Sequence, residues 1–79
     1  MKLPRDISGD QLANHICRKW EYTRITQVGS HIMLRTETPT RAKQVIPAHT
    51  SLKIGTLSKI LGQIAVHKQV TREDILRGL

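Results

Sequence analysis

The sequence has 79 residues, of which 38% are hydrophobic and 24% charged, proportions typical of a small globular domain. A chain this short forms one thin core, so residues 1–79 are predicted to be a single domain. Its apolar runs are too short to span a membrane. Thirteen Lys and Arg residues against six acidic residues give a net charge of +7, which favours a polyanionic partner such as nucleic acid.

The N-terminal segment and the single cysteine bear on the cellular location, and the aromatic content bears on the type of RNA-binding domain. The N-terminal segment lacks the apolar stretch of a signal peptide, and a single cysteine, Cys17, forms no internal disulfide. We therefore expect a cytoplasmic location, with Cys17 as a small buried residue on a helix. Trp20 and Tyr22 are the only aromatic residues, too few for the surface of stacking rings that many RNA-binding domains use.

The first predicted helix covers residues 8–20. Ser8 and Gln11 have the spacing of a capping box, and Ile7 and Leu12 are placed as the hydrophobic staple around it. From Leu12 onward the apolar residues recur at helical intervals and form one stripe with Ala13, Ile16, Cys17 and Trp20.

Three short strand-like runs follow the helix. They cover residues 22–27, 31–36 and 42–47. A Gly-Ser pair breaks the chain after the first run, and a turn at Pro39 follows the second. Alternation places Ile32 and Leu34 on one face of the second run and His31 and Arg35 on the other. The tight connections predict an antiparallel meander.

The C-terminal part is predicted to be helical. A loop over residues 48–56 leads to a helix that runs to about His67, and a short helix starts at Thr71 with Asp74 at its capping-box position. The longer helix has one predicted buried face: Leu57, Ile60, Leu61, Ile64 and Ala65. Because two helices can cover one face of a three-stranded sheet, we predict an α+β two-layer sandwich of order α-β-β-β-α with an extra short C-terminal helix.

Four motifs in this order resemble the HicA toxins, small mRNA-cleaving proteins of bacterial and archaeal toxin–antitoxin modules. They are the capped first helix, GSH at the entry of the second strand, IPAH at the end of the third strand and IGTLSKIL, which runs from the loop into the second helix, within residues 3–66. The resemblance implies a fold like that of double-stranded-RNA-binding domains. It also implies that His31 is the catalytic residue, that His49 matches the family's second histidine, and that a HicB-like antitoxin covers the active site.

A histidine at position 31 suits the chemistry of RNA cleavage. That reaction removes a proton from the ribose 2′-hydroxyl and delivers one to the departing 5′-oxygen, and a histidine, which titrates near pH 6.5 when free, serves either step. Gly29 permits a tight turn beside His31, and the Ser30 hydroxyl is available to contact a phosphate. His49 is a candidate second proton-transfer group or substrate contact.

The candidate RNA-binding residues are Ser30 and nearby basic side chains: Arg35, Arg41, Lys43, Lys53 and Lys59. Histidine, cysteine and acidic residues nowhere have the spacing of metal ligands, so the sequence predicts a nuclease without metal or cofactor. His15 and His67 are expected at the surface.

The net charge of +7 is also compatible with two other functions. One is a non-catalytic RNA-binding module of the same fold, in which His31 is incidental. The other is a basic protein that only scaffolds an acidic partner. Cleavage requires His31, whereas binding requires only the basic residues, so this residue separates the nuclease from the binding module. The sequence assigns no task to residues 71–79.

Overall fold

The fold is taken from a computed structural model, which describes residues 3–79. These residues form three helices and three strands in the order α1 (Gly9–Lys19), β1 (Tyr22–Val28), β2 (His31–Thr36), β3 (Ala42–Pro47), α2 (Ile54–Lys68) and α3 (Arg72–Leu76). The predicted order and the α+β class are confirmed.

Some element boundaries differ from the predicted ones. Helix α1 is one residue shorter at each end, strand β1 is one residue longer, and α2 begins at Ile54, inside the segment predicted to be a loop. The backbone of Lys53 is extended, and its carbonyl accepts the first helical hydrogen bond from the Leu57 N–H. Gly55 therefore lies in the first turn of α2, where its low helix propensity did not prevent the helix from starting.

The sheet is an antiparallel meander in which β2 lies between β1 and β3. Strands β1 and β2 are joined by the two residues Gly29 and Ser30. Gly29 has a φ of +59°, a backbone conformation that glycine adopts at the first position of tight hairpin turns. Strand β1 has an irregular register beside Ile25, consistent with a bulge in this edge strand.

Both long helices pack on one face of the sheet. The fully buried apolar residues of β2 and β3 on that face are Ile32, Leu34 and Ile46, and they belong to one core with the helical residues Leu12, Ile16, Leu57, Leu61 and Ile64. The predicted buried faces of α1 and α2 are thus confirmed. The opposite side, which we call the outer face, carries His31, Met33 and Arg35 from β2 and Lys43, Val45 and Pro47 from β3.

The prediction that His15 lies at the surface is wrong. The side chain of His15 is fully buried, and its Nε2–H donates a hydrogen bond to the Ile75 carbonyl at 2.7 Å. The short helix α3 folds back over α1 and covers this position. His67, also expected at the surface, is half-buried and donates from Nε2 to the Thr40 carbonyl at 2.9 Å.

Cys17 lies on α1 as predicted, but it is half-buried rather than fully enclosed. Burial raises the pKa of the Cys17 thiol above its ordinary value, while the nearby charge of Arg24 acts in the opposite direction. Within residues 3–79, the helices are too short or too polar to cross a membrane.

Candidate functional site

His31 is the first residue of β2 and its side chain is exposed on the outer face, as the alternation predicted. Its cross-strand partners are Val28 on β1 and Pro47 on β3. Val28 is 65% exposed. The histidine therefore lies between an exposed apolar residue and the last residue of β3, at one end of the sheet.

The backbone brings His49 to the same end of the sheet. The Ala48 N–H donates to the Ser30 carbonyl at 2.6 Å, so the chain leaving β3 lies against the hairpin that contains Ser30 and His31. The His49 carbonyl in turn accepts a hydrogen bond from the Gly9 N–H at 2.9 Å. Ser30, His31 and His49 are all exposed. The structure thus groups the three residues that the motifs singled out.

The start of α1 supports this end of the sheet. A Cβ at Gly9 would overlap the carbonyl oxygen of Pro47, so only glycine permits the helix to approach this closely. The capping box predicted for α1 is present: the Ser8 hydroxyl accepts from the Gln11 N–H, and the Gln11 side chain accepts from the Ser8 N–H. The first turn of α1 is therefore held against the segment that follows β3.

Two of the predicted RNA-binding arginines lie away from His31. Arg35 is four residues further along β2, about 13 Å at the usual rise of a strand. Its guanidinium pairs with Glu37 at 2.9 Å, and the same carboxylate accepts from Arg41 at 3.1 Å. Both arginines are exposed, but they belong to the opposite end of the sheet and share one counter-ion. Arg35 and Arg41 thus lie apart from the histidine, beside a carboxylate that competes with a phosphate for their charge.

Two predicted RNA-binding lysines line a groove between β3 and α2. The groove has a volume of about 650 Å³, and Lys43 from β3 and Lys59 from α2 lie along it. Pro47, the cross-strand partner of His31, lines the groove as well. Lys53, by contrast, lies just before α2 and outside the lining of this groove.

Sequence reasoning missed two residues of this groove, Gln44 and Gln63. The Gln44 side-chain amide donates to the Gln63 side-chain oxygen at 2.9 Å and to the Val45 carbonyl at 3.3 Å. Gln44 occupies an inward-facing position of β3, where the neighbouring inward residue is Ile46, and it is only 8% exposed. A glutamine in the place of a core residue was the available signal.

The last turn of α2 closes the far end of the groove. The Lys68 ammonium donates to the Thr36 hydroxyl at 2.9 Å and to the Thr38 carbonyl at 2.7 Å, and it lies 4.9 Å from the centre of the Tyr22 ring. Burial lowers the pKa of Lys68, while the charge of Glu21 acts to raise it. With the bond from His67 to Thr40, these contacts tie α2 to the loop between β2 and β3.

In the described part of the chain, no three His, Cys, Asp or Glu side chains are clustered so that they could hold a metal ion. Comparison of the chain with protein-family models, with curated proteins and with solved structures gave no match. The resemblance to the HicA toxins therefore rests on the motifs quoted above.

Proposed function

We propose that the protein is the toxin of a type II toxin–antitoxin module, a HicA-like endoribonuclease that cleaves mRNA in the cytoplasm without a metal ion. The observation that carries this proposal is the exposure of His31 at a sheet end where the backbone also brings Ser30 and His49. Two exposed histidines on adjoining backbone segments, with Lys59 in the groove that Pro47 also lines, are the groups that RNA cleavage requires.

In the proposed reaction, His31 accepts the proton of a ribose 2′-hydroxyl. The 2′-oxygen then attacks the adjacent phosphorus, and the bond from phosphorus to the 5′-oxygen breaks. The leaving oxygen takes a proton from His49 or from water, so one product ends in a 2′,3′-cyclic phosphate and the other begins with a 5′-hydroxyl. The exposed ammonium groups of Lys53 and Lys59 are candidates for stabilising the charge on the phosphorus.

Substitution of His31 tests the proposal. We expect His31→Gln and His31→Ala to abolish RNA cleavage and growth arrest, with RNA affinity and the unfolding midpoint close to those of the parent. Because the side chain is exposed, neither substitution opens a cavity. His49→Ala, measured beside them, shows whether the second histidine takes part. If His31→Gln protein cleaves RNA at the parental rate, His31 is not the catalyst.

A non-catalytic RNA-binding module is the second candidate function. It is favoured by one observation: within residues 3–79 the His31 ring has no hydrogen-bond partner that would orient it. Catalytic histidines are commonly oriented by such a partner. Under this reading the parent protein binds RNA but leaves it intact, so a cleavage assay with the unmodified chain separates the two functions.

We further propose that a HicB-like antitoxin inhibits the protein by covering His31. The outer face supports this part of the proposal, because apolar side chains are exposed there without an internal partner. Val45 is 37% exposed and Met33 is half-buried on this face, and Val28 lies directly beside His31. An acidic partner would be drawn to a chain of net charge +7 and would bury these residues.

A further inference from the structure

We infer that the groove between β3 and α2 binds single-stranded RNA next to the cleavage site and contacts one base through Gln63 and Gln44. The inference rests on the proposed function for the choice of RNA as the polymer. It adds the position of the RNA on the protein and the side chains that contact one of its bases. Three features of the groove carry it: its course toward His31, its paired glutamines and its two lysines.

The course of the groove leads to the histidine. Strand β3 lines it from Ala42 to Pro47, a span of about 17 Å at the usual rise of a strand. Pro47 is the cross-strand partner of His31, and side chains at such positions lie about 5 Å apart. A polynucleotide in the groove therefore passes beside His31 at one end. At the other end it reaches the hydrogen bonds that His67 and Lys68 donate to the loop between β2 and β3.

The glutamine pair offers hydrogen-bonding groups inside the groove. Gln44 uses its amide N–H groups on Gln63 and on the Val45 carbonyl, which holds both side chains in place. The Gln63 amide N–H groups and the Gln44 side-chain oxygen then have no partner within residues 3–79. Adjacent donors and an acceptor match the edge of a nucleic-acid base, which a single glutamine amide contacts through one donor and one acceptor in the major groove of DNA. Ala42, on the same side of β3 as Gln44, and Ile60 supply apolar lining for the base itself.

Charge and shape favour a single strand over a duplex. Lys43, on the outer face of β3 at the rim of the groove, and Lys59 on α2 are both exposed, so each can meet a phosphate while a base lies between β3 and α2. In single-stranded RNA the bases are unstacked and their edges are accessible, whereas in a duplex those edges are already paired. Gln44 is 8% exposed and lies at the base of the groove, where an intact duplex does not reach.

The test measures RNA affinity in a His31→Gln background, so that the probe stays intact. The probe is a fluorescein-labelled single-stranded RNA of about ten nucleotides, within the site sizes of single-strand-binding domains, and binding is followed by fluorescence anisotropy. Lys43→Ala and Lys59→Ala should each weaken binding about fivefold at 0.1 M salt and lower the salt slope by about 0.7. Gln63→Ala should weaken binding about fivefold without changing the slope.

Arg18→Ala is the matched control, because it removes one charge from an exposed position of α1 outside the groove. It should change the affinity less than twofold. The inference is overturned if Arg18→Ala weakens binding as much as Lys59→Ala, because RNA affinity would then depend on the net charge of the protein and not on the groove lysines. It is also overturned if a duplex of the same sequence binds equally well, or if the groove variants lose a protein partner but keep their RNA affinity.

This test separates the groove from the nuclease activity. If the parent protein does not cleave RNA but the groove variants lose RNA affinity, the proposed RNA-binding groove is supported and the proposed nuclease activity is contradicted. If the parent cleaves RNA but Lys43→Ala, Lys59→Ala and Gln63→Ala all bind RNA normally, the nuclease activity is supported and the RNA-binding groove is contradicted.

Discussion

Gly9 lies so close to the carbonyl of Pro47 that no side chain fits between them. Glycine is a poor residue for the first turn of a helix, yet here it allows α1 to rest on the end of β3. Pro47 is also the cross-strand partner of His31. The position of the candidate catalytic histidine thus depends on a contact between the start of a helix and a strand end.

Gly9→Ala should destabilise the protein by about 1–3 kcal/mol, because the added methyl group forces apart two segments of backbone. Gly55→Ala is the control. Apart from the adjacent residues and the backbone of α2 itself, no heavy atom of the described residues lies within 4 Å of the Cβ it would add, and the substitution should raise stability by about 0.5 kcal/mol through helix propensity. Urea denaturation of the two variants and the parent measures both effects. Equal stability of Gly9→Ala and the parent would contradict the close approach.

RNA cleavage should be insensitive to chelation. The proposed proton transfers use His31 and either His49 or water, and they need no Lewis acid. Incubation with excess EDTA before addition of RNA should leave the cleavage rate unchanged, with a magnesium-dependent nuclease as the positive control for chelation. A rate that falls with EDTA and returns with a divalent ion would exclude the metal-free mechanism.

A HicB-like antitoxin should protect residues 29–36 from hydrogen exchange. This segment contains the hairpin turn and the exposed side of β2, which the proposed partner covers. Residues 72–76 of α3, which rest on α1 and α2, serve as the internal control and should exchange at the same rate with and without the partner. Val28→Lys should weaken the complex, because it places a charge among the apolar residues beside His31. Unchanged exchange at residues 29–36 would mean that inhibition does not occlude the site.

Helix α3 should loosen in acid. The backbone N–H and the hydroxyl of Thr71 hold the pKa of Asp74 below its ordinary value. A carboxylate with a lowered folded-state pKa stabilises the fold above its unfolded value of about 3.9, and this contribution is lost as the pH falls through the folded value. Protection of the amides at residues 72–76, measured against the exchange rate of an unstructured chain at the same pH, should therefore fall below about pH 4. In Asp74→Asn that acid-dependent loss of protection should be absent.

The sequence by itself determined the elements and much of their exposure. Capping boxes at Ser8 and Thr71 are local patterns, and both are present in the structure. Alternation along β2 placed His31 on the exposed face for the same reason: the direction of a strand side chain depends only on its position along the strand. Local rules of this kind need no knowledge of what the rest of the chain does.

Only the tertiary structure decided which residues meet. His15 has the sequence context of a surface histidine and is buried because α3, sixty residues later, folds over it. Arg35 shares a face with His31 but lies at the far end of the strand, where it pairs with Glu37. The groove forms where α2 packs beside β3, and this packing brings together Gln44 and Gln63, which are nineteen residues apart. Such contacts depend on how helices are placed against a sheet, and the local periodicity of a sequence carries no record of that placement.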